Sequence, residues 1–291
     1  MTFDFETIID RRGKDAVAVD APAVQMSGGF FPETKVQEEF SIIPMWVADM
    51  NFQTAPAVAQ AIRSRADHHL YGYFLPPSQY FQSIINWQKE RNGVTDLKPE
   101  HIGYENGVLG GVVSALRILC SNGDPVLVQT PTYVGFTHSL EDNGWKSVLN
   151  PLKRDAEGIW RMDYEDMERK IIENHVHAAI FCSPHNPSGR VWQAWEIEKA
   201  MEIFARHDVY VIADEIWSDL TLPGYHHIPT QSVSEDARNR TIALYSPSKA
   251  FNLAGLQIAN IISADADIRR KIDKAINIML ICGTESAAKQ R

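Results

Sequence analysis

Five short segments carry side chains able to do chemistry, and each follows an apolar run or opens an apolar helix. Ser246-Pro-Ser-Lys249 places an amine, with two hydroxyls beside it, directly after Thr241-Ile-Ala-Leu-Tyr245. Desolvation at the mouth of a buried strand lowers a lysine pKa and favours condensation with a carbonyl. The plainer alternative is an exposed loop lysine. Asp214 closes the run Val209-Tyr-Val-Ile-Ala213. A carboxylate there needs a cation or hydrogen-bond donors to stay ionised, and a protonated pyridine nitrogen is one such partner. A helix N-cap is the plainer role. Asn186 lies in Ser183-Pro-His-Asn-Pro-Ser-Gly189, after Ala178-Ala-Ile-Phe-Cys182. Flanking prolines fix its backbone, and its amide can donate to a phenolate-like oxygen or a carboxylate; an ordinary turn is the alternative. Asn106-Gly-Val-Leu-Gly-Gly111 leads into Val112–Leu119, and a glycine-rich helix start leaves N–H groups for an anion. Tyr133, in Thr130-Pro-Thr-Tyr133 after Pro125–Gln129, offers a ring to stack on a flat ligand or to fill a core.

These residues need a scaffold that gathers strand ends. The four runs Pro125–Gln129, Ala178–Cys182, Val209–Ala213 and Thr241–Tyr245 read as strands buried on both faces, the pattern of a parallel sheet's interior. Amphipathic stretches at Asp163–His175 and Ala194–Arg206 alternate with them. The pattern implies an α/β fold with a mostly parallel, doubly wound sheet and helices on both faces. Ligands in such sheets sit beyond the carboxyl ends of the strands, where four of the five segments fall. Helices are also expected at Ala55–Asp67, Ser78–Arg91 and Asp267–Leu280, with residues 1–55 as an arm and 56–291 as a large domain. Together the segments supply an amine, a carboxylate, an amide, an aromatic face and an anion cradle, the set that pyridoxal phosphate requires.

Composition narrows the alternatives. Of 291 residues, 44% are hydrophobic and 22% charged, which excludes a disordered or fibrous chain, and the length suits about two domains. A net charge of −9 argues against a nucleic-acid partner. The acidic start MTFDFETIIDRRGKD is unlike a signal peptide, and the apolar stretch Val108–Cys120 is too short for a bilayer. A cytoplasmic location is therefore expected. Cys120, Cys182 and Cys282 are too scattered for a disulfide framework and read as reduced, buried thiols. His68-His69, His175/His177 and His226-His227 lack metal-ligand spacing, so no metal is expected. No Gly-x-Ser-x-Gly elbow is present. Trp46, Trp192 and Trp195 read as core or dimer contacts, and Glu215 and Asp219 as helix-start charges.

The motifs run in one order through nearly the whole chain: Trp46-Val-Ala-Asp-Met-Asn-Phe52, Tyr71-Gly-Tyr73, Thr130-Pro-Thr-Tyr133, Ser183–Trp192, Ala213–Asp219 and Ser246–Leu256. In this the chain resembles fold type I pyridoxal-phosphate enzymes of the aspartate aminotransferase superfamily, and within it the MalY/PatB-type cystathionine β-lyases, or C–S lyases. The resemblance implies that Lys249 is the Schiff-base lysine, Asp214 the partner of the pyridine nitrogen, and Asn186 the donor to the phenolic oxygen and substrate carboxylate. It implies stacking by Tyr133 and a phosphate cradle from the amides of Val108 and Leu109 with the hydroxyls of Ser246 and Ser248. Tyr73 would reach the phosphate held by a second subunit, so a homodimer is implied. Two positions depart from the pattern: Trp217 stands where His or Tyr is usual near the phenolic oxygen, and Asn51 where Asp is usual. The chain is also shorter than such enzymes by about a hundred residues, and the expected small C-terminal domain, with its carboxylate-gripping arginine, has no counterpart. The implied activity is cleavage of a sulfur amino acid to a thiol, pyruvate and ammonia. An aminotransferase and a non-catalytic, cofactor-binding or regulatory protein are the other readings.

Overall fold

A computed structural model describes residues 3–20, 45–72 and 74–279, with side chains to 275. Its helices are α1 (Val17–Asp20), α2 (Pro56–Ala66), α3 (Ser78–Asn92), α4 (Gly107–Leu119), α5 (Val134–Asp142), α6 (Tyr164–Asn174), α7 (Ala194–Arg206), α8 (Glu235–Arg240) and α9 (Ala266–Met279). The strands are β1 (Ile102–Glu105), β2 (Pro125–Thr130), β3 (Lys146–Pro151), β4 (Lys153–Arg154), β5 (Trp160–Arg161), β6 (Ala178–Cys182), β7 (Tyr210–Asp214), β8 (Thr241–Tyr245) and β9 (Ala259–Ile262). Seven strands form one sheet in the order β1-β9-β8-β7-β6-β2-β3, and β4 and β5 make a separate ribbon. The pairs from β3 to β8 are parallel, while β9 runs antiparallel to both β8 and β1. The mostly parallel sheet expected from the apolar runs is thus present, with an antiparallel edge.

Successive side chains of a strand point to opposite faces, so a strand buried on both sides must be apolar throughout. On β6, Ala178, Ile180 and Cys182 join a core with α4, α5 and α9 residues, and Ala179 and Phe181 join a second core with residues of α6 and α7. On β2, Val126 and Val128 face the first core and Leu127 the second. Both layers are filled, which makes the sheet a rigid platform.

Chain direction across the sheet reverses at β2. From there the chain steps outward to β3, then crosses back to add β6, β7, β8 and β9 in turn. The gap between β2 and β6 is therefore a switch point, where adjacent connections part and leave a crevice.

Trp192 anchors the segment beyond β6. It is 1% exposed, and its indole N–H donates to the Cys182 carbonyl at 3.0 Å. Truncating it to alanine would empty a large core volume and orphan that carbonyl. Trp192→Ala should therefore lose about 3–5 kcal/mol of stability by denaturant unfolding; a loss below about 1 kcal/mol would contradict this packing role. Trp195, by contrast, is about half exposed and rests against Arg161, so it is not a core residue.

Candidate active site

The carboxyl ends of β2, β6, β7 and β8 lie side by side, and the segments singled out above leave from them. The ladder runs to its last rung: Cys182 pairs with Asp214, and Asp214 with Leu244. Beyond it the Ser183 N–H donates to the Asp214 carbonyl at 2.9 Å, and the Glu215 N–H to the Leu244 carbonyl at 2.9 Å. Asp214 is thus held by backbone on both sides and stands as the last strand residue.

The Asp214 side chain is 6% exposed, and its Oδ1 accepts one N–H, from Ile216, at 3.1 Å. Burial raises its carboxyl to about 6, helped by the adjacent Glu215 charge and opposed by the Ile216 N–H and the Lys249 ammonium. It is not a helix N-cap, because the chain after it makes a turn. A buried carboxylate so sparsely satisfied fits a cationic ring nitrogen. The folded chain keeps a proton that the unfolded chain releases between about pH 4 and 6. This contribution to stability is present in full below the unfolded value and is lost as pH rises through the folded one, roughly 3 kcal/mol in all. His185, which burial depresses to about 4, acts oppositely in the same window. Comparing the cofactor-free chain with Asp214→Asn separates the two: the variant should gain stability relative to the parent between pH 4.5 and 7.5 in urea titrations. An equal difference at both pH values would refute the assignment.

Lys249 sits in the turn after β8, closed by Phe251 N–H to Pro247 carbonyl (2.9 Å) and Leu253 N–H to Ser248 carbonyl (3.0 Å). Its half-buried amine donates to the Ala48 carbonyl at 3.3 Å. Burial lowers its pKa, while Asp214 and Asp49 pull the other way. That is the environment expected for an amine that must lose its proton to react. The segment carrying Ala48 is stitched to the same turn by Asn252. The Asn252 Oδ1 accepts the Met50 N–H at 3.0 Å, and its Nδ2 donates to the Met50 and Phe52 carbonyls at 3.0 and 3.2 Å. Asp49 and Asn51 both accept from Arg11, so Asn51 joins an ion-pair cluster beside the site.

Asn186 is half-buried and lines a cavity of about 420 Å³ with Trp217, Arg190, Leu220, Leu222 and Tyr225. Its backbone N–H donates to Cys182 Sγ at 3.4 Å. Cys182 is fully buried, and burial beside Asp214 raises its thiol pKa, leaving it inert. Cys120 is half-buried and Cys282 lies outside the described residues.

The groups expected to cradle an anion lie at the start of α4 and in the turn after β8. α4 begins at Gly107, not Val112, so the glycines form its first turns. Gly107 has φ +75°, and a Cβ on Gly111 would lie 2.6 Å from Leu244, which forces the close helix–sheet approach. The N-cap Asn106 makes no capping bond because its Oδ1 accepts the Tyr104 hydroxyl at 2.9 Å. The amides of Val108 and Leu109 are thus first-turn donors without a side-chain cap. The Ser246 and Ser248 hydroxyls lie 2.6 Å apart, and Ser246 also donates to the Ile258 carbonyl at 2.6 Å. Neighbouring Gln257 reaches the Gly107 turn, which joins the serines to the helix start. Tyr133 is 40% exposed, lies over Gly135 with Leu109, and meets Phe136 edge-on at 5.5 Å. It presents a face and is not a buried core tyrosine. Tyr73 lies outside the described residues.

Sequence reading missed a buried cluster next to Asp214. Glu215 is no helix-start charge: it is fully buried and accepts from His227 Nε2 (2.7 Å), the Thr230 N–H (2.8 Å) and the Tyr245 hydroxyl. Burial would raise its pKa, but these partners more than offset that and hold it low. Asp219 likewise accepts from Trp87 and Arg91. Among the described residues no helix is long and apolar enough to cross a membrane.

A family model for class I and II aminotransferases matches residues 42–290, and the chain belongs to that family. It is 38% identical over 234 residues to cystathionine beta-lyase PatB of Bacillus subtilis, covering 80% of this chain and 60% of that protein. Cystalysin of Treponema denticola, whose crystal structure contains pyridoxal 5'-phosphate, superposes with a TM-score of 0.86 at 32% identity, over 96% of this chain and 68% of that one. The PLP-bound C–S lyase of Staphylococcus hominis gives 0.83 and 32%, over 94% and 66%. The chain spans about three-fifths of the length of the curated relatives it matches.

Proposed function

We propose that the chain binds pyridoxal 5'-phosphate at this end of the sheet and forms the core of a C–S β-lyase acting on a sulfur amino acid. The observation that carries the reading is the juxtaposition of a desolvated lysine and a buried, sparsely satisfied carboxylate at adjoining strand ends. When bound, pyridoxal phosphate supplies an aldehyde that condenses with amines and a ring that withdraws electrons from the substrate's Cα. The amides of Val108 and Leu109, with the Ser246 and Ser248 hydroxyls, would hold its phosphate at the α4 N-terminus. Tyr133 would stack on the ring, Asn186 would donate to the phenolic oxygen and the substrate carboxylate, and Asp214 would keep a proton on the ring nitrogen. Lys249 Nζ takes the Cα proton as general base. The electron pair left at Cα would form a Cα=Cβ bond as the Cβ–S bond breaks and its pair leaves with the thiolate, and water would hydrolyse the resulting enamine to pyruvate and ammonia.

Transamination is the second reading, favoured by the aminotransferase family model. Here Lys249 returns the proton to a different carbon and the sulfur stays bonded. Incubating the loaded protein with L-cystathionine separates the two: pyruvate formed without any 2-oxo acid means lyase, and turnover only when a 2-oxo acid is added means transferase. We further take the exposed Leu70, Tyr71, Phe74 and Leu75 around Tyr73 as the face that meets a second copy, giving a homodimer. A cytoplasmic location accompanies this reading.

A further inference from the structure

Trp217 occupies the third position after Asp214 and faces two things at once. Its half-buried indole lines the cavity that holds Asn186, and its ring lies under the Lys249 amine, with Nζ 5.5 Å from the ring centroid. That separation is within the range where a cation is attracted to an aromatic face, and indole is the strongest such face. Indole has one N–H donor, accepts no hydrogen bond and does not titrate. Toward an ammonium it can therefore act only through its π surface.

The turn holding Trp217 is itself fixed. The Ser218 N–H donates to the Glu215 carbonyl at 3.0 Å and the Leu220 N–H to the Trp217 carbonyl at 3.0 Å. The Ala48 carbonyl accepts from the same Nζ at 3.3 Å. The charged groups facing the amine are Asp214 from the end of β7 and Asp49 from the segment after Trp46. The amine thus has a carbonyl on one side, carboxylates near it and an aromatic plate beneath.

We propose that Trp217 is a positioning residue for Lys249, its indole face holding the protonated amine between the Ala48 carbonyl and the Asp214 end of β7. The inference rests on the proposed role of Lys249. It assigns Trp217 to the moment when Nζ carries the proton taken from Cα, because only the cation is held by the ring. Phenylalanine keeps a π face, whereas leucine keeps bulk without one.

The test is the pH dependence of Schiff-base formation, followed by visible absorbance after mixing the cofactor-free full chain with pyridoxal 5'-phosphate. Borohydride trapping and peptide mapping identify the lysine. Removing the π face destabilises the ammonium, so the midpoint in Trp217→Leu should fall by about half a pH unit, while Trp217→Phe stays near the parent. A packing role alone would lower the melting temperature of both variants and leave the midpoint where it is, which overturns the inference. A rise in the midpoint also overturns it, since desolvation by the indole would then be the dominant effect. If the parent chain traps no cofactor on Lys249, the proposed function falls and this inference with it; trapping on Lys249 with an unmoved midpoint defeats the inference alone.

Discussion

Lys249→Ala should abolish borohydride trapping of pyridoxal 5'-phosphate on the chain and lower turnover of a cysteine thioether by about a thousandfold or more. The same Nζ is proposed to hold the cofactor and to move the Cα proton, and general acid–base transfer alone contributes about 10²–10⁴-fold. The position of Nζ is set by the turn after β8 and by the Ala48 carbonyl. The variant should stay folded, since the side chain is only half-buried and lies outside the apolar cores on both faces of the sheet. Phosphate contacts through α4, Ser246 and Ser248 would remain, so the variant should still bind the cofactor reversibly. Dialysis would then remove it, which does not happen readily with a covalent link. Turnover within about tenfold of the parent would show that another group carries the proton.

Asp214→Asn is expected to have the second largest effect, about 10²–10³-fold on turnover, comparable to removing one preorganised electrostatic partner from a buried site. Asparagine preserves the shape and can still accept the Ile216 N–H, so the ladder from β6 to β8 should persist. What is lost is the negative charge. Burial and the adjacent Glu215 already make that charge hard to sustain, and the carboxyl sits near 6 as a result. A cation placed against it would bring the value back down, so binding and ionisation reinforce each other. Cofactor affinity of the parent should accordingly weaken as pH falls through about 6, where free Asp214 takes up a proton, and the variant should lack that dependence. Titrations with pyridoxal 5'-phosphate from pH 5 to 8 measure the affinity, and steady-state rates at one pH measure the loss of turnover. A variant within threefold of the parent would mean that Asp214 does not face the ring.

The strands that carry these residues were legible because they are buried on both faces. β6 and β8 have the bounds read from their apolar runs, and β7 is displaced by one residue because Asp214 belongs to the ladder. Edge elements left no such signature. β3 alternates exposed and buried positions with only Val148 and Asn150 inside, and β1 is four residues ending in Tyr104 and Glu105. The antiparallel edge was not read, since β9 is only four residues long and turns back beside β8 as well as pairing with β1 more than 150 residues earlier.

Site residues divide the same way. Lys249, Asp214 and Asn186 drew notice because each lies at, or within four residues beyond, the carboxyl end of an apolar run. Glu215 looked like a helix-start charge because its neighbours in sequence suggested a helix. Its actual partners, His227 and Tyr245, lie 12 and 30 residues away, and no local pattern links them. Asn252 was hidden for the same reason: its hydrogen bonds reach back about 200 residues. The glycines of α4 were read as a lead-in to a helix at Val112, but the helix starts at Gly107, where positive φ turns the chain directly into its first turn.

The most direct test is peptide mapping of the full chain after incubation with pyridoxal 5'-phosphate and borohydride reduction. One pyridoxyl group per chain is expected, on the peptide containing Lys249. Stoichiometric labelling elsewhere, or no labelling at cofactor concentrations that saturate the visible absorbance, would contradict it.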